Sequence, residues 1–222
     1  STFTLTFDAT VTNSQFTTHL LKASGNNLTN TSFTDGSSNN VTVTTNGDVR
    51  TSSFTPHHPG GYSTYFDGLD DYLQVTNGSS QFVIGTGAFT LECWVICEEK
   101  STEGGAYRRI FMIDDVGNQD GNFQLLVHPT SGSTTMWTNS SDLEVNGTKV
   151  IDDGEWHHIA CVRSGTTVTC YIDGKADSSA TYNGAIGTNQ NGGSPMPRIG
   201  EGNGSGSFKG YIYELRLVVG TA

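Results

Sequence analysis

Long apolar runs are absent from this 222-residue chain, and none approaches the ~20 residues that a membrane-spanning helix requires. Basic residues are also scarce, with 11 Lys and Arg against 22 Asp and Glu. The resulting net charge of -11 repels phosphate backbones and anionic lipid surfaces. The sequence therefore predicts no nucleic-acid partner and no membrane insertion.

Helical periodicity is nearly absent, and the stretch from Gln15 to Lys22 is the one candidate for a short turn of helix. Short runs of alternating apolar and polar residues recur instead, separated by turns rich in Gly, Asn, Asp and Ser. This pattern predicts an all-β fold, in which two antiparallel sheets each bury one face. One domain of this class can accommodate the whole chain. Clear strand signals are Phe89–Ile96, Phe123–His128, Trp156–Arg163, Val168–Ile172 and Tyr211–Val218.

The four cysteines lack the spacing of a zinc site. Cys161 and Cys170 flank a candidate hairpin with the two-residue loop Gly165-Thr166, which places them opposite each other. A cross-strand disulfide fits this geometry, and a pair of reduced buried thiols is the alternative. Cys93 and Cys97 lie about 13 Å apart on one extended strand, too far to bridge each other.

Four segments appear in an order that defines a pattern along most of the chain. They are Tyr65–Leu73 (YFDGLDDYL), Phe89–Val95 (FTLECWV), Trp156–Lys175 (WHHIACVR, then CYIDGK) and Ile199–Leu217, which ends in FKGYIYELRL. Together these segments resemble the laminin-G-like domains of the concanavalin A-like lectin/glucanase superfamily. The resemblance covers roughly residues 15–222 and implies an antiparallel two-sheet jelly-roll sandwich. Residues 1–14 then form a lead-in strand, predicted to pair either with a neighbouring domain or with the edge of the same sandwich.

Several residues of the pattern are interpreted as parts of the fold. Large aromatic side chains fill the space between sheets, so Trp94 and Trp156 are expected on the inner face. Asp173-Gly174 is expected to form a turn with positive φ angles. Arg216 and Glu92 are expected to pair across neighbouring strands.

A finer resemblance is to laminin-G-like modules in structural proteins of tailed phages, particularly marine ones. It is carried by His19–Lys22, Phe33–Asn40, Val43–Val49 and Val219–Ala222. It implies a virion surface module within a larger or oligomeric assembly, which contacts other virion subunits, host surface glycans or both. A secreted or cell-surface adhesion domain is the alternative. The missing initiator Met and the ending at Ala222 lead us to expect a longer polypeptide.

Two groups of residues are candidates for ligand contact. Tyr107 and Trp137 lie near predicted loop ends and could stack on sugar rings, although either could instead belong to the core. Asp114, Asp115, Asn118 and Asp120 follow the strand signal Arg109–Ile113 and concentrate oxygen ligands in one expected loop. Ca²⁺ prefers such ligands, so the loop is a candidate calcium site, and an acidic turn without metal is the alternative.

The sequence gives no support for catalysis. Glycoside hydrolases need two carboxyl groups at a fixed separation, and no E-x-D-x-x-E spacing occurs here. His157-His158 has no accompanying G-x-S-x-G motif of a serine hydrolase. The sequence therefore predicts a binding domain and not an enzyme, with a glucanase relative as the weakest alternative.

Overall fold

The computed structural model describes residues 17–23, 31–56, 61–76, 79–98, 106–115, 118–138, 143–187, 196–201 and 206–220. These residues form strands, turns and one 3-10 turn (Ser79–Phe82), and no helix among them has the length and apolar character needed to span a membrane. The described strands, in chain order, are β1 Thr17–Ala23, β2 Phe33–Asp35, β3 Val43–Asn46, β4 Arg50–Ser52, β5 Ser63–Asp67, β6 Tyr72–Val75, β7 Phe89–Cys97, β8 Arg108–Asp115, β9 Asn118–Val127, β10 Ser133–Thr138, β11 Leu143–Val150, β12 His157–Ser164, β13 Thr167–Ile172, β14 Lys175–Thr181, β15 Met196–Ile199 and β16 Lys209–Val219.

The strands form two antiparallel sheets, which confirms the predicted all-β sandwich. The first sheet has the order β14-β13-β12-β7-β16-β1-β2, and β5 pairs with the first half of β16 and with β4. The second sheet has seven strands in the order β11-β10-β9-β8-β15-β6-β3. We refer to them as the nine-stranded and the seven-stranded sheet.

The segment that the sequence allowed as a helical turn, Gln15 to Lys22, is extended from Thr17 onward. The first part of β1, Thr17–Leu20, pairs with β16, and its last part, Leu21–Ala23, pairs with β2. A strand forms here instead of a helical turn because the β-branched Thr17 and Thr18 favour a strand and Leu21 is buried in the core. The lead-in segment 1–14 lies outside the described residues, so its pairing stays a prediction.

The core lies between the two sheets and is built from alternate residues of each strand. On β7 the inward residues include Phe89, Leu91, Cys93 and Val95, all essentially without solvent exposure. Phe89 meets Phe123 of the opposite sheet edge to face, with ring centroids 5.6 Å apart. Burial of such side chains supplies the main driving force of folding, at about 25 cal/mol per Å² of apolar surface.

The expectation that Trp94 and Trp156 fill the space between the sheets is wrong. Trp94 alternates with the inward residues Cys93 and Val95 and therefore faces outward, where its ring lies 5.2 Å from that of His158. Trp156 precedes β12 and packs on Phe54, with centroids 5.5 Å apart. Both tryptophans are half-buried and lie outside the core cluster, because phenylalanines occupy the space between the sheets.

Two other structural expectations are confirmed. Asp173 and Gly174 have φ angles of 51° and 74° and connect β13 to β14 by a two-residue turn. Arg216 and Glu92 face each other across β16 and β7, and Arg216 Nε donates to Glu92 Oε1 at 2.7 Å. Glu92 also lies 3.6 Å from His158 Nε2.

Substituting Arg216 with alanine is expected to cost only about 1 kcal/mol, because the pair is partly solvated and water replaces much of the lost interaction. For a chain of this size the melting temperature should fall by about 2–4 °C. Differential scanning calorimetry of the purified domain measures this. A loss above about 3 kcal/mol would mean that the pair behaves as a buried one.

His157 is buried between two aspartates. Its Nδ1 lies 2.9 Å from Asp173 Oδ2, and its Nε2 lies 3.1 Å from Asp153 Oδ1. A neutral imidazole has one N–H and can satisfy one carboxylate, whereas the imidazolium form donates to both. Burial raises the pKa of each carboxyl group, but hydrogen bonds outweigh it and hold both pKa values below the usual range. Asp153 accepts hydrogen bonds from His157 and from the Glu155 amide. Asp173 accepts hydrogen bonds from His157 and from the His158 amide.

This arrangement predicts a loss of stability in acid. Folding lowers the pKa values of Asp153 and Asp173, so the ionised carboxylates stabilise the folded protein. This stabilisation is complete above the pKa of an unfolded Asp, about 3.9, and is lost as the pH falls through the lower pKa values of the folded protein. Urea unfolding of the wild type and of His157→Gln should therefore show a larger difference in midpoint at pH 5.5 than at pH 3. Lys149 also lowers the pKa values of both carboxyl groups, but it is present in both proteins and does not contribute to the difference between them. An equal difference at the two pH values would contradict this reasoning.

Candidate functional site

The outer face of the seven-stranded sheet carries a continuous row of side chains, one from each strand. The strand register places each residue directly opposite the next, and residues paired in this way project from the same face. At about 4.8 Å per strand interval the row is roughly 29 Å long. Its middle members, Gln124, Met112 and Arg198, are buried, so a ligand can reach the row only at its two ends. From β11 to β3 its members are Glu144, Trp137, Gln124, Met112, Arg198, Gln74 and Thr44.

At one end of this row the two predicted stacking residues lie in contact. The rings of Tyr107 and Trp137 have centroids 4.4 Å apart with an interplanar angle of 59°. His128 meets Tyr107 edge to face at 5.4 Å. All three side chains are half-buried, so each is held by packing while part of it stays accessible. We call Tyr107, His128 and Trp137 the aromatic group.

The aromatic group also contains hydrogen-bond donors. His128 Nδ1 accepts from the amides of Thr130 at 3.2 Å and Ser131 at 3.3 Å, which leaves the ring hydrogen on Nε2. The indole nitrogen of Trp137 is itself buried and has no acceptor among the described residues. Aromatic faces combined with nearby donors suit a sugar ring, whose C–H face is apolar and whose hydroxyls are polar.

Polar side chains next to the aromatic group are fixed by hydrogen bonds. Arg109 Nε donates to Gln124 Oε1 at 2.7 Å, and Arg109 and Gln124 are 9% and 1% exposed. Thr135 Oγ1 donates to Asn146 Oδ1 at 2.9 Å, and Asn146 Nδ2 donates to the exposed Glu144 at the same distance. These bonds fix the side-chain orientations before a ligand arrives, which lowers the entropy cost of binding.

The other end of the row holds a second aromatic residue. The guanidinium carbon of Arg198 lies 4.9 Å from the centroid of the Tyr72 ring, within the range of a cation–π interaction. Tyr72 is two residues before Gln74 on β6, so both project from the same face. The face therefore has aromatic residues at two places, and the buried Gln124, Met112 and Arg198 lie between them.

Gly206 makes close packing over the aromatic group feasible. Its φ of 74° suits glycine, and a Cβ atom here would overlap the carbonyl oxygen of Tyr107 and the guanidinium of Arg109. The Arg109 amide donates to the Gly206 carbonyl at 3.0 Å. The segment before β16 is thus anchored at the border of the site.

The candidate calcium residues do not lie in the expected loop. Strand β8 extends to Asp115 and β9 begins at Asn118, so Asp114, Asp115, Asn118 and Asp120 are all strand residues, and Asp115 pairs with Asn118. The expectation failed because these polar residues continue the hairpin ladder in spite of their low strand propensity. Their side chains lie outside the described residues, so calcium binding there stays a prediction.

A different acidic cluster, which sequence reasoning missed, consists of Asp48, Asp67 and Asp71, with ligand atoms within 4.8 Å of one another. Asp71 is fully buried, and it accepts the amides of Asp48 at 2.7 Å and Asp67 at 2.9 Å. Burial raises its pKa despite these two hydrogen bonds. Asp48 is paired with Arg50. The cluster ties the turn before β4 to the β5–β6 turn, which accounts for two of the three aspartates of the YFDGLDDYL segment.

Comparison with known proteins gives one family match. Residues 66–220 match the laminin-G-type family model described as the concanavalin A-like lectin/glucanases superfamily. This range begins later than the resemblance seen in the sequence, although β1 to β5 complete the same sandwich. None of the curated protein sequences matches the chain.

Several solved structures share the fold. Domain 4 of AbnA, a GH43 extracellular arabinanase from Geobacillus stearothermophilus solved with arabinotriose, is 22% identical with a TM-score of 0.65, and the match covers 92% of both chains. The binding domain of botulinum neurotoxin DC, solved with SialylT, is 14% identical with a TM-score of 0.66. The binding domain of Paraclostridial Mosquitocidal Protein 1 is 12% identical with a TM-score of 0.67.

The coverage of the last two structures is unequal. The match includes 94% and 93% of this chain but 49% of each binding domain, so the chain spans about half of their length. At these identities the likeness establishes the fold. Most of these similar structures are binding domains, and AbnA domain 4 is part of a GH43 arabinanase.

Proposed function

The chain belongs to the concanavalin A-like lectin/glucanase superfamily, and from this premise we propose that it is a non-catalytic carbohydrate-binding domain. The observation that carries the proposal is the aromatic group at one end of the row on the seven-stranded sheet, where partly exposed rings lie beside the exposed Glu144 and Asn146. Sugar rings stack on Trp137 and Tyr107, and the exposed Asn146 and Glu144 serve as hydrogen-bond partners of the hydroxyl groups. The buried Arg109 and Gln124 support the aromatic group from below.

Binding without catalysis accounts best for the polar residues of this face. Glycoside hydrolysis needs an acid and a second carboxylate about 5–10 Å apart. In the row itself Glu144 is the one carboxylate, and it already accepts a hydrogen bond from Asn146. The arabinanase domain solved with arabinotriose supports a sugar ligand for this fold.

We propose a virion surface as the setting, in a tail fibre, knob or capsid decoration that contacts other subunits, host glycans or both. The support is the resemblance of His19–Lys22, Phe33–Asn40 and Val43–Val49 to modules of tailed-phage structural proteins. A secreted or cell-surface adhesion domain is the second candidate, favoured by the extracellular arabinanase and the toxin binding domains among the similar structures. Virion genes beside the full-length gene support the first setting, and an encoded signal peptide supports the second.

A glycan array tests the proposed function. The labelled domain, applied with and without a chelator, is expected to bind one class of oligosaccharide. Phe54→Ala removes a 47% exposed aromatic residue next to the other sheet and should bind like the wild type. Signal loss on chelation would add a metal requirement to the proposal. A folded domain that binds nothing, or that releases reducing ends in a manner abolished by one Asp or Glu substitution, would contradict it.

A further inference from the structure

Three of the four cysteines line one side of the core, on three adjacent strands. Cys93 lies on β7, Cys161 on β12 and Cys170 on β13, and all three are 1% exposed or less. The proposed carbohydrate site uses none of them. Their mutual geometry therefore has to be considered separately.

Cys161 and Cys170 are directly opposite each other in the β12–β13 ladder. The hairpin closes at Ser164 and Thr167 through Gly165, whose φ of 59° suits the first position of a two-residue turn. Counting back from this closing pair makes Cys161 and Cys170 a non-hydrogen-bonded pair, with an expected Cα separation of about 4.5 Å. Disulfides span Cα separations of roughly 4.4–6.8 Å. The two Sγ atoms lie 2.8 Å apart, so they already point at each other.

The other two thiols are poor partners. Ile159 pairs with Cys93 and Cys161 pairs with Leu91, so Cys93 is diagonal to Cys161. Diagonal neighbours are about 7–8 Å apart, beyond the reach of an unstrained disulfide. Cys97 lies at the far end of β7 and contacts Arg108 Nη1 at 3.4 Å. The geometry selects one pairing out of six.

We propose that Cys161 and Cys170 form a cross-strand disulfide, with a glutathione-type disulfide as the oxidant, and that this bond locks the β12–β13 hairpin when the chain folds in an oxidising compartment. In the first step the Cys161 thiol loses its proton and its sulfur attacks one sulfur of the oxidant, releasing one thiol. The Cys170 thiolate then attacks the Cys161 sulfur in the mixed disulfide and releases the second thiol. The protein loses two electrons and two protons, and the oxidant gains them as two thiols.

The burial of the Cys161 and Cys170 thiols determines at which stage of folding the disulfide can form. The hydrogen bond with Cys170 and the burial of the thiol hold the pKa of Cys161 well above its usual range. Because the thiolate is the reactive species, the folded reduced domain should react slowly. Oxidation is therefore a step of folding, before the hairpin is enclosed between the sheets.

The test compares two treatments of the whole chain. One sample is unfolded and refolded in a defined mixture of oxidised and reduced glutathione, and the other is exposed to the mixture while folded. We expect the refolded sample to lose two of its four thiols, and peptide mapping to find Cys161 linked to Cys170. Its melting temperature should exceed that of the reduced protein by about 5–10 °C, since the link closes a loop of about ten residues. The folded sample should keep four thiols over the same time.

Cys93→Ala is the matched control, because it removes a thiol of equal burial that the proposal leaves unpaired. It should still lose two thiols and show the same link. Cys170→Ala should lose none, and if it fails to fold, the peptide map of the wild type decides. Four free thiols after refolding, or a map that shows another pairing, would overturn the proposal.

Discussion

Replacing Trp137 with alanine is expected to weaken oligosaccharide binding at least about 30-fold. A well-packed tryptophan at a binding surface contributes about 2 kcal/mol or more when truncated, which corresponds to this factor in Kd. Trp137 meets this description, because it packs on Tyr107 at 4.4 Å and stays half-buried. Isothermal titration calorimetry with the oligosaccharide selected on the array measures the change.

Two variants separate loss of stacking from loss of folding. Trp137→Phe keeps an aromatic face and loses the indole N–H, so it should retain a larger share of the affinity than Trp137→Ala. Phe54→Ala removes an aromatic residue of the other sheet, where Phe54 packs on Trp156 and Tyr211. It should bind normally. Equal losses in Trp137→Ala and Phe54→Ala would show that the effect is not local to the aromatic group.

Substituting Asp152 with alanine is expected to cost about 3–5 kcal/mol of folding free energy. Asp152 Oδ2 lies 3.3 Å from Arg108 Nη2, with side-chain exposures of 5% and 2%. Removing one partner of a buried ion pair leaves the other charge buried without its counter-ion, and this penalty is far larger than that of a surface pair. The melting temperature should fall by about 10 °C. Urea unfolding followed by tryptophan fluorescence gives the free energy directly.

The contrast between two arginine–carboxylate pairs makes this prediction sharper. Arg216→Ala disrupts a partly exposed pair and should cost about 1 kcal/mol, several times less than Asp152→Ala. A double substitution, Arg108→Met with Asp152→Leu, should recover much of the lost stability, since it leaves no charge behind. If Asp152→Ala cost no more than Arg216→Ala, burial would not be what makes the first pair matter.

The buried pair also supports the proposed site. Arg108 Nη2 donates to the His128 carbonyl at 3.3 Å, while the preceding residue, Tyr107, contacts the His128 ring on the outer face. Loss of Asp152 should therefore weaken binding indirectly, by loosening Tyr107 and His128. If the double substitution restores the binding that Asp152→Ala loses, the role of Arg108 and Asp152 is to position Tyr107 and His128.

Much of the fold could be predicted from local patterns. Alternating strands, the Asp173-Gly174 turn and the Arg216–Glu92 pair depend on short-range geometry, and all are found. The positions of Trp94 and Trp156 could not be predicted in the same way. Alternation shows that neighbouring residues face opposite sides, but which side is inner depends on the other sheet. On β7 the smaller Cys93 and Val95 face inward, because phenylalanines of both sheets already fill the core.

The site was predictable only in part. The sequence marks Tyr107 and Trp137 as candidates for stacking on sugar rings, and the structure brings them together. The rest of the row could not be identified, because Glu144 and Thr44 are 100 residues apart in sequence and are related only through the register of seven strands. His128 gave no signal either, since its role follows from the fold of the Thr130–Ser131 turn around its ring.

The central claim is that sugar binds on the outer face of the seven-stranded sheet, and mapping the bound oligosaccharide by NMR tests it most directly. Backbone and indole signals are recorded while the oligosaccharide selected on the array is titrated into the labelled domain. We predict that the largest shifts occur at the indole N–H of Trp137 and along Tyr107, His128 and Asn146, with little change at Trp94 or Trp156. Shifts confined to the outer face of the nine-stranded sheet, around Trp94, Trp156 and Tyr211, would contradict the claim.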